Sequence, residues 1–457
     1  MRYGSLTREI IEKLENIAGK ENVLTAEEER VRYSWDETCR PRPYLPDVVV
    51  KPGDTYTVAK VMRLANEEVI PVTPRGSGTG LSGGAVPIFG GILISLERMN
   101  RILEIDERNF VAVVEAGVTL AELYRAVESQ GLYYPLYPGE ESASIGGNVA
   151  TNAGGMRAVK YGVTRNYVLG LEAVLPTGEV IQTGGKFVKC STGYSLTQLL
   201  TGSEGTLAII TRVILKLLTA PEVKTILFVP FRSLSDAIRA VPDIIRSKIL
   251  PTGIEFMERD AIEFAERHTG IQIPPYEGAA FLLIIIDADD DEQAEIISRK
   301  VGQICIDNGA IDIFVPDTER AKRRLLELRE KFYPAIKAAG LVDLIDVVVP
   351  RDKIADFMEK VKEVSRRQGI PIIGYGHAGD GNVHLHPLGE SKQIAETLGE
   401  IYEIGRELGG TLSGEHGIGF EKRQFLPIAM DERQIEIMKG IKRVFDPNYI
   451  LNPGKVF

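Results

Sequence analysis

Pro74-Arg75-Gly76-Ser77-Gly78-Thr79-Gly80-Leu81-Ser82-Gly83-Gly84, continuing as AVPIFGGILISL to Leu96, is the stretch on which the fold turns. Gly78, Gly80 and Gly83 match the spacing G-x-G-x-x-G. A Rossmann fingerprint needs a helix to begin at that loop, so that its N-terminus faces a pyrophosphate. Here a proline, a further glycine pair and a strand pattern follow instead. The motif also sits well inside its domain, so the NAD-type Rossmann fold is excluded.

A second cluster lies downstream: Pro138-Gly139-Glu140-Glu141-Ser142-Ala143-Ser144-Ile145-Gly146-Gly147-Asn148, extended by Thr151-Asn152-Ala153-Gly154-Gly155. Glycine lets backbone N–H groups converge in conformations closed to other residues. Such nests bind phosphate without many cationic side chains. One loop of this kind is explained by a plain turn; two, with Ser, Thr and Asn interleaved, suit the two ends of a pyrophosphate. A third small-residue segment, Thr201-Gly202-Ser203-Glu204-Gly205-Thr206, precedes the strand pattern that contains Ile210. Alone it is weak evidence.

Working outward, residues 1–40 read as a helical segment. RPRPYLPDVVVKPGD then enters a domain over 41–220 with short strand patterns (VIPVTP, GILISL, VAVVEAG, GLEAVLP) and intervening helices. Near Thr219–Val223 the glycines thin out, and longer helices alternate with strands to about residue 410. A C-terminal segment, 411–457, completes the chain. The class is α+β. The acidic run Asp287–Glu292 reads as a solvated loop capping the next helix; it lacks the spaced ligands of a calcium loop.

With 457 residues and a net charge of −10, the chain is a multidomain globular protein that repels polyphosphate, so nucleic acid is not an expected partner. No stretch reaches the ~20 apolar residues that span a bilayer, and the N-terminus reads as an amphipathic helix; a cytoplasmic location is expected. Cys39, Cys190 and Cys305 lie far apart, without an iron–sulfur or zinc-knuckle spacing.

Four of the five histidines fall in GHAGDGNVHLH and SGEHGIG, the fifth being His268. Asp380-Gly381 is a two-residue hairpin signal. That turn sets Gly379 against Asn382, Ala378 against Val383 and His377 against His384, with Cβ atoms about 5 Å apart. The pair has the geometry of a shared metal, and His386 shares the face of His384 as a reserve or supporting group. Glu415 supplies a carboxylate. Its neighbour His416 is expected to point elsewhere, toward substrate. Two His and one carboxylate suit zinc or ferrous iron.

RGSGTGLSGG, PGEESASIGGNVATNAGG, TGSEGTLAIIT, GHAGDGNVHLH, SGEHGIG and the terminal LNPGKVF, in that order, resemble the FAD-linked oxidases with the vanillyl-alcohol-oxidase (p-cresol methylhydroxylase, PCMH) fold. The look-alikes are glycolate oxidase flavin subunits, D-lactate dehydrogenases and D-2-hydroxyglutarate dehydrogenases. The resemblance implies a two-subdomain PCMH-type FAD-binding domain. It also implies an α+β substrate (cap) domain with an antiparallel sheet, and a C-terminal helical segment returning to the flavin. FAD would be held by Arg75, Gly76, Ser77, Gly78, Thr79, Gly80 and Leu81 in the first loop. Pro138, Gly139, Ser142, Ile145, Gly146, Asn148, Thr151, Asn152 and Gly154 would hold it in the second, with Gly205 and Ile210 toward the adenine and Asn452 at the flavin. His377, His384 and Glu415 would bind the divalent metal, His416 would be the acid–base residue, and Arg329 the substrate-carboxylate arginine.

The implied reaction is oxidation of a small D-2-hydroxy acid, D-lactate or glycolate, to the 2-oxo acid, with metal-assisted deprotonation and hydride transfer to flavin N5. The electrons would leave to an electron-transfer flavoprotein, an iron–sulfur subunit or a quinone-linked partner. Monomer and homo-oligomer stay open. In the hydroxyglutarate enzymes an asparagine stands where His386 is, and a tyrosine-lysine pair where this chain has Leu344-Ile345; both departures favour a smaller acid. No histidine precedes His268, so FAD is expected to be non-covalent unless Cys39 or Cys190 carries it. A metal-dependent hydrolase would use the histidines and leave the glycine loops idle; a non-catalytic FAD-binding module would do the reverse.

Overall fold

The computed structural model describes residues 3–38, 43–273, 277–389 and 394–457; Cys39 lies outside them. The described residues form two compact units: 1–153 with 163–220 and 415–457, and 154–162 with 221–414.

In the first unit, helix Arg8–Ala18 packs Ile10 and Leu14 into the same core as Val48, Val50, Ile92 and Ile94. Val23–Leu24, in the segment read as helical, is instead a short strand antiparallel to Val48–Val50. Val48–Val50 and Val72–Arg75 both run parallel to Ile92–Ser95. Every residue of Val48–Val50 and Ile92–Ser95 is buried, as expected where both faces of parallel strands are covered. No helix is assigned over 76–91, between two strands of this sheet, which agrees with the exclusion of a Rossmann turn. A second sheet, wholly antiparallel, orders Ile102–Asp106, Val111–Glu115, Ile209–Lys216, Val168–Val174 and Val180–Gly184.

The second unit is built on an antiparallel sheet. Its order is Val223–Phe231, Ala280–Ala288, Gly253–Glu258, Ile372–His377, Asn382–Pro387 and Ile345–Val348. One face carries Phe228, Phe281, Met257, Ile373 and Tyr375. It packs on Ala261, Ile262 and Ala265 of helix Arg259–Thr269 and on Leu325, Leu328, Phe332 and Ile336 of helices Glu319–Glu330 and Phe332–Ala338. The acidic run divides. Asp290 caps helix Asp291–Asp307 by accepting from the Gln293 N–H at 2.7 Å. Asp287 is not a solvated loop residue: it lies within strand Ala280–Ala288 and accepts from the Tyr161 hydroxyl at 2.5 Å, with Lys160 at 3.5 Å. No helix among the described residues is long and apolar enough to cross a membrane.

Candidate active site

The histidine hairpin forms in a different register from the one the Asp-Gly signal predicts. His377 stands opposite Asn382, and His384 opposite Tyr375. The connection is therefore four residues, 378–381, rather than two. Two bonds close it, from the Asp380 and Gly381 N–H groups to the His377 carbonyl at 3.3 and 3.0 Å. The Asp380 side chain is part of the turn, accepting from the Asn382 N–H at 3.2 Å. A slip of two residues keeps every side chain on its face, whereas a slip of one would have sent His384 to the other side. The two imidazoles are thus diagonal neighbours, and their Nε2 atoms stand 3.2 Å apart.

Each histidine has a carboxylate directly opposite it on its other neighbouring strand. Glu255 pairs with His377, and Asp346 with His384. Four adjacent strands thus carry one row: Glu255, His377, His384, Asp346. His377 Nδ1 contacts Glu255 Oε1 and Oε2 at 2.7 and 2.9 Å, which sets the Nδ1–H tautomer and leaves Nε2 as a ligand atom. Asp346 Oδ1 lies 3.7 Å from His384 Nδ1. Asp346 also accepts from Asn382 Nδ2 at 2.7 Å, Ser413 Oγ at 2.7 Å and the Gly414 N–H at 3.0 Å. Arg329 Nη2 reaches Glu255 Oε2 at 2.5 Å, with its guanidinium 4.5 Å from the Tyr375 ring centre. Burial pushes the Glu255 carboxyl up, but His377 and Arg329 outweigh it and hold the group below its ordinary value. His386, fully buried, stacks on Tyr375 at 4.8 Å between ring centres and 18° between planes.

This row fits a divalent metal. Two nitrogens bound to one zinc at about 2.0–2.1 Å and the tetrahedral angle stand about 3.3 Å apart. With neutral imidazoles, Glu255, Asp346 and Arg329 leave one net negative charge in a buried setting, which suits a cation.

In the first unit the two glycine loops are sewn together. The Ser77 hydroxyl donates to the Ser142 carbonyl at 2.6 Å, and the Ser77 N–H reaches Ser144 Oγ at 3.4 Å. Gly76 has to be glycine here, since a Cβ would lie 2.0 Å from Ser144 Oγ. Ser144 caps helix Ile145–Thr151, which holds Gly146, Asn148 and Thr151. By contrast, a Cβ on Gly84 or Gly139 would meet nothing within 4 Å. The lips thus pack on each other and present open glycine backbone, the surface a pyrophosphate needs. Arg75 is buried with Nη1 donating to the Trp35 carbonyl at 2.7 Å. Asn452 Nδ2 donates to the Gly84 and Glu204 carbonyls at 3.0 and 2.9 Å, while its buried Oδ1 has no hydrogen-bond partner among the described residues. These features fit a dinucleotide such as FAD.

Glu415 and His416 also belong to the first unit. They do not diverge fully: His416 Nε2 lies 3.8 Å from Glu415 Oε1. The segment is irregular, so strand alternation does not apply to it. Gly154 and Gly155, unlike the residues before them in the loop, group with the second unit. Sequence reasoning missed both Glu255 and Asp346 as site residues; Asp346 directly follows the Leu344-Ile345 pair weighed above. In both cases the available signal was a carboxylate flanked on each side by apolar residues, IEFM and LIDVVV.

Residues 46–184 match the FAD binding domain family, and residues 220–456 match the C-terminal domain of FAD linked oxidases. A D-lactate dehydrogenase of Anaerostipes hadrus is 43% identical over 100% of this chain and 98% of its own length. A glycolate oxidase subunit, GlcD, of Bacillus subtilis is 38% identical over 99% and 97%. The crystal structure of p-cresol methylhydroxylase with substrate bound superposes with a TM-score of 0.81 at 20% identity, covering 99% of this chain and 98% of that one, and so shares the fold. The chain belongs to the FAD-linked oxidases, and it is an FAD-dependent oxidoreductase of the D-lactate dehydrogenase and glycolate oxidase type with a PCMH-type fold.

Proposed function

We propose that the protein oxidises a small D-2-hydroxy acid, D-lactate or glycolate, to the 2-oxo acid, using non-covalent FAD and a divalent zinc or iron ion. The observation that carries this is the row Glu255–His377–His384–Asp346, a buried two-imidazole site with a carboxylate behind each ring, in a chain of the FAD-linked oxidases. When bound, FAD would supply the acceptor for the hydride on the substrate Cα, and a divalent ion would supply the charge that lowers the pKa of the substrate hydroxyl. His377 and His384 present Nε2 to the ion, and Glu415 is the proposed third ligand. His416 takes the hydroxyl proton, which suits an imidazole near neutral pH. Arg329 fixes the substrate carboxylate with the guanidinium edge not spent on Glu255.

The two electrons leave to a partner protein, an electron-transfer flavoprotein or an iron–sulfur subunit, because neither the cysteine spacing nor the two described cysteines, Cys190 exposed and Cys305 buried, makes a cluster. The reading is tested by anaerobic mixing with D-lactate and with glycolate. Bleaching of the flavin band should be lost on chelation and in His416→Asn; bleaching that survives both sinks the mechanism.

A further inference from the structure

We infer that Glu204, acting with Ser82, is a positioning residue that sets the His416 turn in the frame that holds the FAD. The inference rests on the assignment of His416 as the base and adds what fixes that base.

The carboxylate of Glu204 accepts from two successive backbone N–H groups just past His416: Ile418 to Oε1 at 2.9 Å and Gly419 to Oε2 at 2.7 Å. From the other side the Ser82 hydroxyl lies 3.0 Å from the His416 carbonyl and 3.1 Å from that of Gly417. Two N–H groups and two carbonyls of the turn 416–419 thus face two side chains from elsewhere in the chain, the single Ser82 hydroxyl hydrogen being shared between the two carbonyls. The fit explains the glycines of SGEHGIG. Gly417 has φ +77, and a Cβ there would lie 2.9 Å from Glu204 Cδ; Gly419 has φ +52, and a Cβ would lie 2.0 Å from the Ser82 carbonyl oxygen. The turn is pressed onto its clamp closely enough that a methyl group does not fit.

Glu204 is itself held to the cofactor loops. It adopts φ +52, a left-handed conformation that costs an L residue energy and persists only where the surroundings impose it. Its N–H donates to the Ala150 carbonyl at 2.8 Å, in the helix that continues the second glycine loop. Its carbonyl accepts from Asn452 Nδ2, whose second bond goes to Gly84 in the first glycine loop. Ser82 is in that same loop. Both jaws of the clamp are thus built on the segments that would hold FAD, so the position of the base is referred to the flavin rather than to its own neighbours in sequence. Proton transfer requires donor and acceptor within hydrogen-bond reach, which is why such a frame matters.

The test compares Glu204→Gln, Ser82→Ala, His416→Asn and the double variant Glu204→Gln/His416→Asn as FAD-loaded holoenzymes. Glutamine keeps the shape but offers its NH2 to one of the two N–H donors. Hydrogen exchange read by mass spectrometry over 415–420 should speed up about 10–100-fold in Glu204→Gln, the range for losing a charge-assisted bond. Flavin reduction by D-lactate, normalised per bound flavin, should fall by about the same factor at unchanged KM, and the base limb of its pH profile should move. In the His416→Asn background Glu204→Gln should add less than twofold.

Unchanged exchange, or a wild-type rate per flavin and pH profile with only thermal midpoint or FAD content lowered, makes Glu204 merely structural and overturns the inference while the base assignment stands. Full flavin reduction in His416→Asn overturns the base assignment itself. If Glu204→Gln does not fold, Glu204→Asp, one methylene short of the turn, is read by the same exchange and rate measurements.

Discussion

Replacing Glu255 by glutamine should cost the protein its metal before it costs the fold. The carboxylate serves two buried cation-side donors at once, His377 Nδ1 at 2.7 and 2.9 Å and Arg329 Nη2 at 2.5 Å. Glutamine has one acceptor oxygen. The guanidinium, permanently charged, claims it, and the amide NH2 then faces His377 Nδ1. The imidazole responds by accepting at Nδ1 and moving its proton to Nε2, the atom that stands 3.2 Å from His384 Nε2. A protonated Nε2 is no ligand. Loss of a supporting carboxylate of this kind typically lowers metal affinity by about 10–100-fold, or about 1.4–2.7 kcal/mol.

The assay is zinc or ferrous-iron affinity by chelator competition near neutral pH, with the thermal midpoint of the metal-free protein as control, since Arg329 also loses its counter-charge. Because the folded-state value of Glu255 is depressed, its stabilising contribution is present above the ordinary carboxylate value and is lost as pH falls through the folded one. At neutral pH the wild type therefore enjoys all of it. An affinity within twofold of wild type in Glu255→Gln refutes the reasoning.

Asp346→Asn should cost less metal affinity, under about tenfold, because Asp346 stands 3.7 Å from His384 Nδ1, beyond hydrogen-bond length, and acts on it through charge. His386→Asn should keep full metal stoichiometry by elemental analysis, because His386 spends its ring face on Tyr375. Lys455, which burial lowers from 10.5 to about 7, should make the flavin-free protein gain stability as pH rises between those values. A group depressed in the folded state contributes fully above its unfolded value and loses that contribution as pH falls through the folded one. Lys455→Met should remove that slope, at most about 1.4 kcal/mol per pH unit, in denaturant titrations between about pH 7.5 and 9.

Motif order and element type were readable because they are local. The strands Val72–Arg75, Ile92–Ser95, Val111–Glu115 and Val168–Val174 and the helices Thr55–Glu67 and Leu120–Glu128 follow from periodicity and capping within a dozen residues. The hairpin was readable only modulo two. Asp-Gly signals a tight turn, but the Asp380 side chain bonding to the Asn382 N–H extends it to four residues. The side-chain faces survived, because the error was even. What no local pattern could supply was the partner strands. Glu255 meets His377 only because Gly253–Glu258 lies beside Ile372–His377 across more than a hundred residues of chain.

Those unreadable carboxylates also explain why the histidines alone could not separate an oxidoreductase from a hydrolase. Buried charges inside an apolar sheet are costly unless each is paired. The sheet pairs them by register, Glu255 with Arg329 and His377, and Asp346 with three neutral donors and His384. With neutral imidazoles, the sum over Glu255, Asp346 and Arg329 is one negative charge. That asks for a cation and says nothing about electrons, because a bound hydroxide would suit the same row equally well. The discrimination comes from the first unit, where Ser77 ties to Ser142 and Ser144, Asn452 ties Gly84 to Glu204, and the Glu204 N–H joins the two sets through Ala150 of the helix that Ser144 caps. A hydrolase has no use for that frame. An FAD enzyme needs it to hold the cofactor and, on the proposal made for Glu204 and Ser82, to hold the base as well.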